Sequence, residues 1–272
     1  MPRTSSAAFG RPRTSRVVAL VAGASLILAT WAGASSAAVA KSKSTTTTTA
    51  KSKSHKSTTT TTAAATTTTV AVSAADTWLI RAIGAEQKIG SVHMTGDINQ
   101  KPKIKLSLIV NGDGEGGGTI VQDGFTIQLK LVGTLIYFDA PTKYWDGRST
   151  KAEAKAYGGK WIEVSALNSE FESFDQFFNA ADLVQALFQG HTTPLTLSKP
   201  TTLDGRKVVI VSNTVVTKGK RSTGHMWIAA TGRPVVYKIE DSTPTETGTT
   251  ITFSHYAKAV SITIPPEPIN AT

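Results

Sequence analysis

Residues 91–139, SVHMTGDINQKPKIKLSLIVNGDGEGGGTIVQDGFTIQLKLVGTLIYFD, decide the fold. Val92, Met94, Gly96 and Ile98 alternate with His93, Thr95 and Asp97. Ile104, Leu106, Leu108 and Val110 share one side of the next stretch. After Thr119–Gln122 and Gly124, Phe125, Ile127, Leu129 and Leu131 alternate with polar residues. Gly133 bends the chain into Thr134–Asp139, and Pro141 stops that piece. A period of two marks strands with one wet face and one dry face. Short polar turns between successive strands favour an antiparallel meander.

Outward from this block the pattern changes twice. Upstream, Asp76 to Lys88 places Trp78, Leu79, Ala82 and Ile83 on one side of a short helix, ended by Gly90. Downstream, Thr142 to Gly159 is polar and predicts one or two helical turns plus loop, followed by the short apolar piece Trp161–Val164. Phe171 to Gln189 predicts the strongest helix: Phe174, Phe177, Phe178, Leu183, Val184, Leu187 and Phe188 form an apolar stripe, and Gly190 stops it. Strands are then predicted at about 195–199, 207–215, 223–230, 234–240, 249–256 and 260–264, with Asp204-Gly205 and Thr231-Gly232 as turn signals. Pro265-Pro266 is read as the end of the fold.

This order predicts an α+β domain: a curled antiparallel β-sheet, in the manner of a half-barrel, with helices covering its concave face. About ten strands in one open sheet tend to curl. Val92, Met94, Leu106, Leu108, Ile127 and Leu129 lie on the apolar sides of the strands. Phe174, Phe178 and Leu187 lie on the apolar stripe of the helix. These nine residues are the candidate lining of an apolar cavity under a helical lid. The same pattern also describes a filled core.

Motifs for catalysis, metal and cofactor fail on context. Gly112, Gly114 and Gly117 satisfy G-x-G-x-x-G, but Thr119-Ile120-Val121 continues as strand where a dinucleotide site needs a helix. Asn111, Asp113 and Glu115 mimic the start of a calcium loop whose twelfth position is Gln122, not Glu. His55, His93, His191, His225 and His255 form neither H-x-H nor H-E-x-x-H. No G-x-S-x-G elbow occurs. Glu170, Glu172, Asp175 and Asp182 cluster at the start of the Phe-rich helix, where acidic residues complement the helix dipole. No enzyme, cofactor or metal is expected.

The chain has 272 residues and a formal charge of +10. Residues 1–75 hold nine basic and no acidic residues, leaving 20 basic against 19 acidic in the rest. A folded part so nearly neutral argues against nucleic acid as a partner. Cysteine is absent, which excludes disulfides and cysteine nucleophiles. Arg3 to Arg16, the apolar run Val17–Trp31 and the A-x-A triplet Ala38-Val39-Ala40 predict an export signal over 1–40, cleaved before Lys41. Fifteen apolar residues span about 22 Å as a helix, short of the roughly 30 Å hydrocarbon core, so an uncleaved anchor is the alternative reading. Residues 41–75 are Lys/Ser blocks and Thr runs without an aromatic residue, and predict a disordered linker. Its five lysines suit a spacer or a contact with an anionic membrane or wall surface. The domain is then 76–272, and a monomer is expected.

Several pieces of 76–268 resemble, in order, the actinobacterial LppX/LprG lipoprotein family, which has the LolA-like lipid-carrier fold. They are Gly90-Ser91-Val92-His93-Met94-Thr95-Gly96, the strand from Gly133 to Pro141, and Gly159-Lys160-Trp161-Ile162. Leu203-Asp204-Gly205, the stretch Met226 to Pro234, and Phe253-Ser254-His255-Tyr256 complete the set. The resemblance implies a LolA-like half-barrel holding the acyl chains of envelope lipids or lipoglycans, with no cofactor and no catalysis. The lipidated Cys that the family carries after its signal is missing. A soluble or signal-anchored exported protein replaces the acylated one in this expectation. The competing function class is a structural or interaction module of the envelope with a filled core.

Overall fold

The structure is a computed structural model, and it describes residues 72–99, 103–146, 148–167, 176–188, 193–217, 220–242 and 247–271. Helix α1 runs Ala74–Glu86. Ser73 caps it, its hydroxyl accepting from the Asp76 amide at 3.1 Å while the Asp76 carboxylate accepts from the Ser73 amide at 3.3 Å. The meander follows as β1 (Ser91–Ile98), β2 (Ile104–Asn111), β3 (Gly116–Gln122), β4 (Phe125–Val132) and β5 (Leu135–Asp139). Short helices α2 (Thr142–Trp145) and α3 (Lys151–Tyr157) lead to β6 (Trp161–Ser165). A 3-10 turn, Gln176–Phe178, precedes α4 (Ala180–Phe188). Then come β7 (Thr196–Leu197), β8 (Thr201–Leu203), β9 (Arg206–Thr217), β10 (Lys220–Ala229), β11 (Val236–Ser242), β12 (Thr247–Ala257) and β13 (Ile269–Asn270).

The thirteen strands among the described residues belong to one open sheet, ordered β13-β6-β5-β4-β3-β2-β1-β12-β11-β10-β9-β7, with β8 beside β9. Every pair is antiparallel except β13 with β6. Asp123-Gly124 and Asp204-Gly205 all have positive φ, the left-handed twist that two-residue hairpins need. Two local meanders, β1–β6 and β9–β12, meet along the β1–β12 seam, where Met94 faces Phe253. One face of the whole sheet is dry. Val92, Leu108 and Ile136 share a single core cluster with Val211, Ile228 and Phe253 from the other half. An open sheet whose inner side chains from β6 to β9 join one core must curl around it. Helices α1 and α4 pack against one another in that concavity.

Three expectations change. The helix expected over Phe171–Gln189 is interrupted at Asn179: a 3-10 turn ends at Phe178 and α4 begins at Ala180. Asn179 Oδ1 accepts from the amides of Ala181 (3.0 Å) and Asp182 (3.1 Å), so its side chain starts a new helix. Residues 171–175 of that expectation lie outside the described residues. The strand expected at 260–264 does not form. Those residues cross the wet face of the sheet as an extended strap. Ser91 Oγ donates to Lys258 O (2.8 Å), Asn111 exchanges two hydrogen bonds with Val260, and Lys130 Nζ donates to Thr263 O (2.9 Å). Side chains replace the ladder partner. Nor do Pro265-Pro266 end the fold: Ile269–Asn270 pair in parallel with Ile162–Glu163 and cover the edge of β6.

Candidate functional site

The strand periodicity brings the apolar residues to one place. Val92, Met94, Leu106, Leu108, Ile127 and Leu129 are all buried in the core cluster on the concave face. Phe178 is fully buried against the same cluster. Phe174 lies outside the described residues. Leu187 lies on α4, but its side chain is outside those described.

Between sheet and turn lies a small enclosed space. Ile104, Leu106 and Leu108 of β2, Ile120 of β3 and Leu129 of β4 form its floor, and Phe177 and Phe178 close it. The lining is aliphatic and aromatic side chain throughout. Its volume is about 20 Å³, room for about one water molecule, and an apolar space of that kind stays dry. Of the six strand residues singled out from the sequence, Leu106, Leu108 and Leu129 line it, together with Phe178. Val92, Met94 and Ile127 pack beside it without lining it. Ile104, Ile120 and Phe177 were not among the nine, although Ile104 continues the alternation of β2 and Phe177 widens the helical stripe.

The Phe178 ring has its place because of a glycine. A Cβ on Gly116 would meet Phe178 Cδ1 at 2.6 Å, a distance real contacts do not reach. Gly116-Gly117-Gly118 leaves β3 bare of side chains, and the ring lies in that notch. Asn179 then turns the chain, and α4 carries Leu183, Val184 and Phe188 into the core. Phe177 and Phe178 thus sit on a single turn between the notch and a capped helix, rather than in mid-helix.

Polar chemistry sits elsewhere. On the wet face His93 Nε2 lies 3.0 Å from Ser107 Oγ, and His225 Nδ1 lies 2.8 Å from Ser212 Oγ. The rings of His93 and His255 are 5.9 Å apart, and His255 is exposed. His55 and His191 lie outside the described residues, as do Glu170, Glu172 and Asp175; Asp182 is exposed on the first turn of α4. Gly112 and Gly114 fall in the hairpin between β2 and β3, and Gly117 lies within β3 itself. No cluster of three or more possible metal-ligating side chains occurs among the described residues. An open groove of about 430 Å³ lies beside Phe125, Gln128 and Asp139, where burial raises the Asp139 carboxyl.

One end of the sheet is closed by aromatic packing. Trp145 meets Tyr144 edge-on at 5.4 Å, Tyr157 at 5.6 Å and Phe138 at 5.9 Å. Arg148 lies 4.6 Å over the Tyr144 ring and pairs with Asp123 at 2.7 Å. No helix among the described residues is long and apolar enough to cross a membrane.

No protein-family model matches the chain, and no curated protein matches it. Solved structures do. The Pseudomonas aeruginosa MucA/MucB complex is similar at 14% identity and a TM-score of 0.36, over 66% of this chain and 56% of that one. LppX, a lipoprotein of Mycobacterium tuberculosis, is similar at 13% identity and a TM-score of 0.46, over 69% of this chain and 97% of that one. LprF from Mycobacterium bovis is similar at 16% identity and a TM-score of 0.46, over 71% of this chain and 97% of that one. Among the described residues the chain carries an open, mostly antiparallel sheet with few helices, and its structure is similar to those of LprF and LppX.

Proposed function

We propose that this protein is an exported, non-enzymatic carrier of acylated envelope lipids, and that the acyl chain enters between the concave sheet face and the Phe177–Phe178 turn. One observation carries the reading: the space under that turn is lined by Ile, Leu and Phe side chains alone, and the turn rests in a glycine notch. The sequence pieces resembling the LppX/LprG family point the same way. The space is nearly closed, so Phe177 and Phe178 must swing out to admit a chain. Exposing two Phe side chains costs about 3–6 kcal/mol, while burying ten methylenes contributes roughly 8 kcal/mol. The exchange therefore favours a long chain over a short one. Export follows from the signal and A-x-A triplet of residues 1–40, and the Lys-rich segment before Ser73 supplies reach or surface contact.

A second reading has its own support. The enclosed volume of about 20 Å³ is far below the roughly 300–1,000 Å³ of a ligand pocket, as in a structural module with a filled core. Native mass spectrometry of protein purified from its own host separates the two. Bound acyl-lipid mass, lost on delipidation and regained from lipid vesicles, supports the carrier. A lipid-free protein that takes up no fluorescent fatty-acyl lipid leaves the structural module.

A further inference from the structure

The last residue of α1 is a buried acid. Glu86 is 1% exposed, the most buried carboxylate among the described residues. Its Oε1 accepts from the Val236 amide at 2.9 Å and lies 2.9 Å from the Tyr256 hydroxyl. Its Oε2 is buried without any hydrogen-bond partner. The Tyr256 hydroxyl also lies 2.5 Å from Val236 O. A phenol has one proton, which Val236 O and Glu86 Oε1 compete for. When Tyr256 donates to Val236 O, its contact with Glu86 is a hydrogen bond only if the carboxyl supplies the proton. A buried carboxylate with one orphaned oxygen is costly, and the neutral carboxyl costs much less.

The neighbouring charges do not offset this. Arg233 stands on the turn between β10 and β11, but its Nη2 donates to Ala85 O at 2.6 Å rather than to the carboxyl. Tyr237 of β11 has Arg206 of β9 over its ring at 4.7 Å. On α1 itself Arg81 lies over Trp78, while Lys88, just beyond the helix, is exposed; Asp76 caps the far end. Lys207 of β9, His255 of β12 and Asp182 of α4 are exposed, Lys238 of β11 pairs with Glu240, and β7 has no charged residue.

We propose that Glu86 is a protonation-controlled latch: with its proton it docks α1 onto β11 and β12, and ionised it releases that helix. Burial raises this carboxyl from 4.5 to about 7, with the Val236 amide, Tyr256 and Arg233 pulling the other way. The latch therefore works near neutral pH. Because α1 packs on α4, release also withdraws support from the helix behind the Phe177–Phe178 turn. The latch stands apart from the lipid reading and needs no ligand.

Amide hydrogen exchange on the full chain, corrected for intrinsic rates, tests it. Protection of the amides of 78–86 should fall roughly tenfold or more from pH 5 to pH 8, while β1 and β2 change little. In Glu86→Gln that pH dependence should vanish. Carbon-13 NMR of the Glu86 carboxyl in the unmutated protein gives a second reading that needs no variant, with a midpoint near 7. A midpoint near 4.5, pH-independent protection of α1, or a Gln variant with unmutated pH dependence would overturn the latch.

Discussion

Phe178 lies on Gly116 with no room for a side chain between them: a Cβ there would also meet Ile109 O at 2.7 Å. Ring and notch are therefore a matched pair across 62 residues of sequence. Gly116→Val should expel the ring, destabilise the domain by about 1–3 kcal/mol, and expose Phe178 to collisional quenchers of a neighbouring probe. Urea melts of the variant check the stability. Unchanged stability would mean that the ring is not held in the notch.

Leu108 forms part of the floor below that ring. Leu108→Trp should block an acyl chain if the space opens, lowering fluorescent-lipid uptake at nearly unchanged urea stability. If the space never opens, Trp overfills it and costs about 1–3 kcal/mol. Both measurements on one sample separate these outcomes. Lost stability, together with no uptake by the unmutated protein, ends the carrier reading.

Glu86 has its own signature in stability. An acid whose folded value is raised from 4.5 to about 7 favours the folded state when protonated. Its contribution is fully present below pH 4.5 and is lost as pH rises to about 7. The loss over that window is on the order of 3 kcal/mol. Chemical denaturation from pH 4.5 to 8 should show this decline, and Glu86→Gln should flatten it. A profile that rises over the same window would contradict the assignment.

Removal of residues 1–71 should leave the melting temperature nearly unchanged, because α1 brings its own cap in Ser73 and Asp76. Calorimetry of the shortened chain checks this, and a fall of several degrees would show that the arm packs on the domain. Removing Ser73 as well should cost about 1 kcal/mol through the lost cap.

Much of the architecture was legible in local pattern. The alternation in β1, β2 and β4 placed Val92, Met94, Leu106, Leu108, Ile127 and Leu129 on one face because that face alone is dry. Asn179 was readable too, as an Asn three residues before Asp182, but the Phe stripe outweighed it. Val260, Ile262 and Ile264 alternate like a strand yet have no neighbour to pair with; Asn111 and Lys130 bind that backbone instead. Glu86 gave one faint sign, four residues after Ala82 on the apolar side of its helix. Its partners Val236 and Tyr256 lie 150 and 170 residues away, beyond any local pattern.

The β1–β12 seam sets a timetable for folding. Each meander on either side of it can pair strand by strand as neighbours emerge. The seam joins Ser91 to Ala257 and Met94 to Phe253, so it closes only after almost the whole chain is in hand. Closing a loop of that length is slow compared with hairpin formation. Until then each half presents a bare central edge and a dry face with nothing on it. The seam is therefore the slowest step, and whatever occupies β1 or β12 in that interval delays it while the exposed edges invite aggregation.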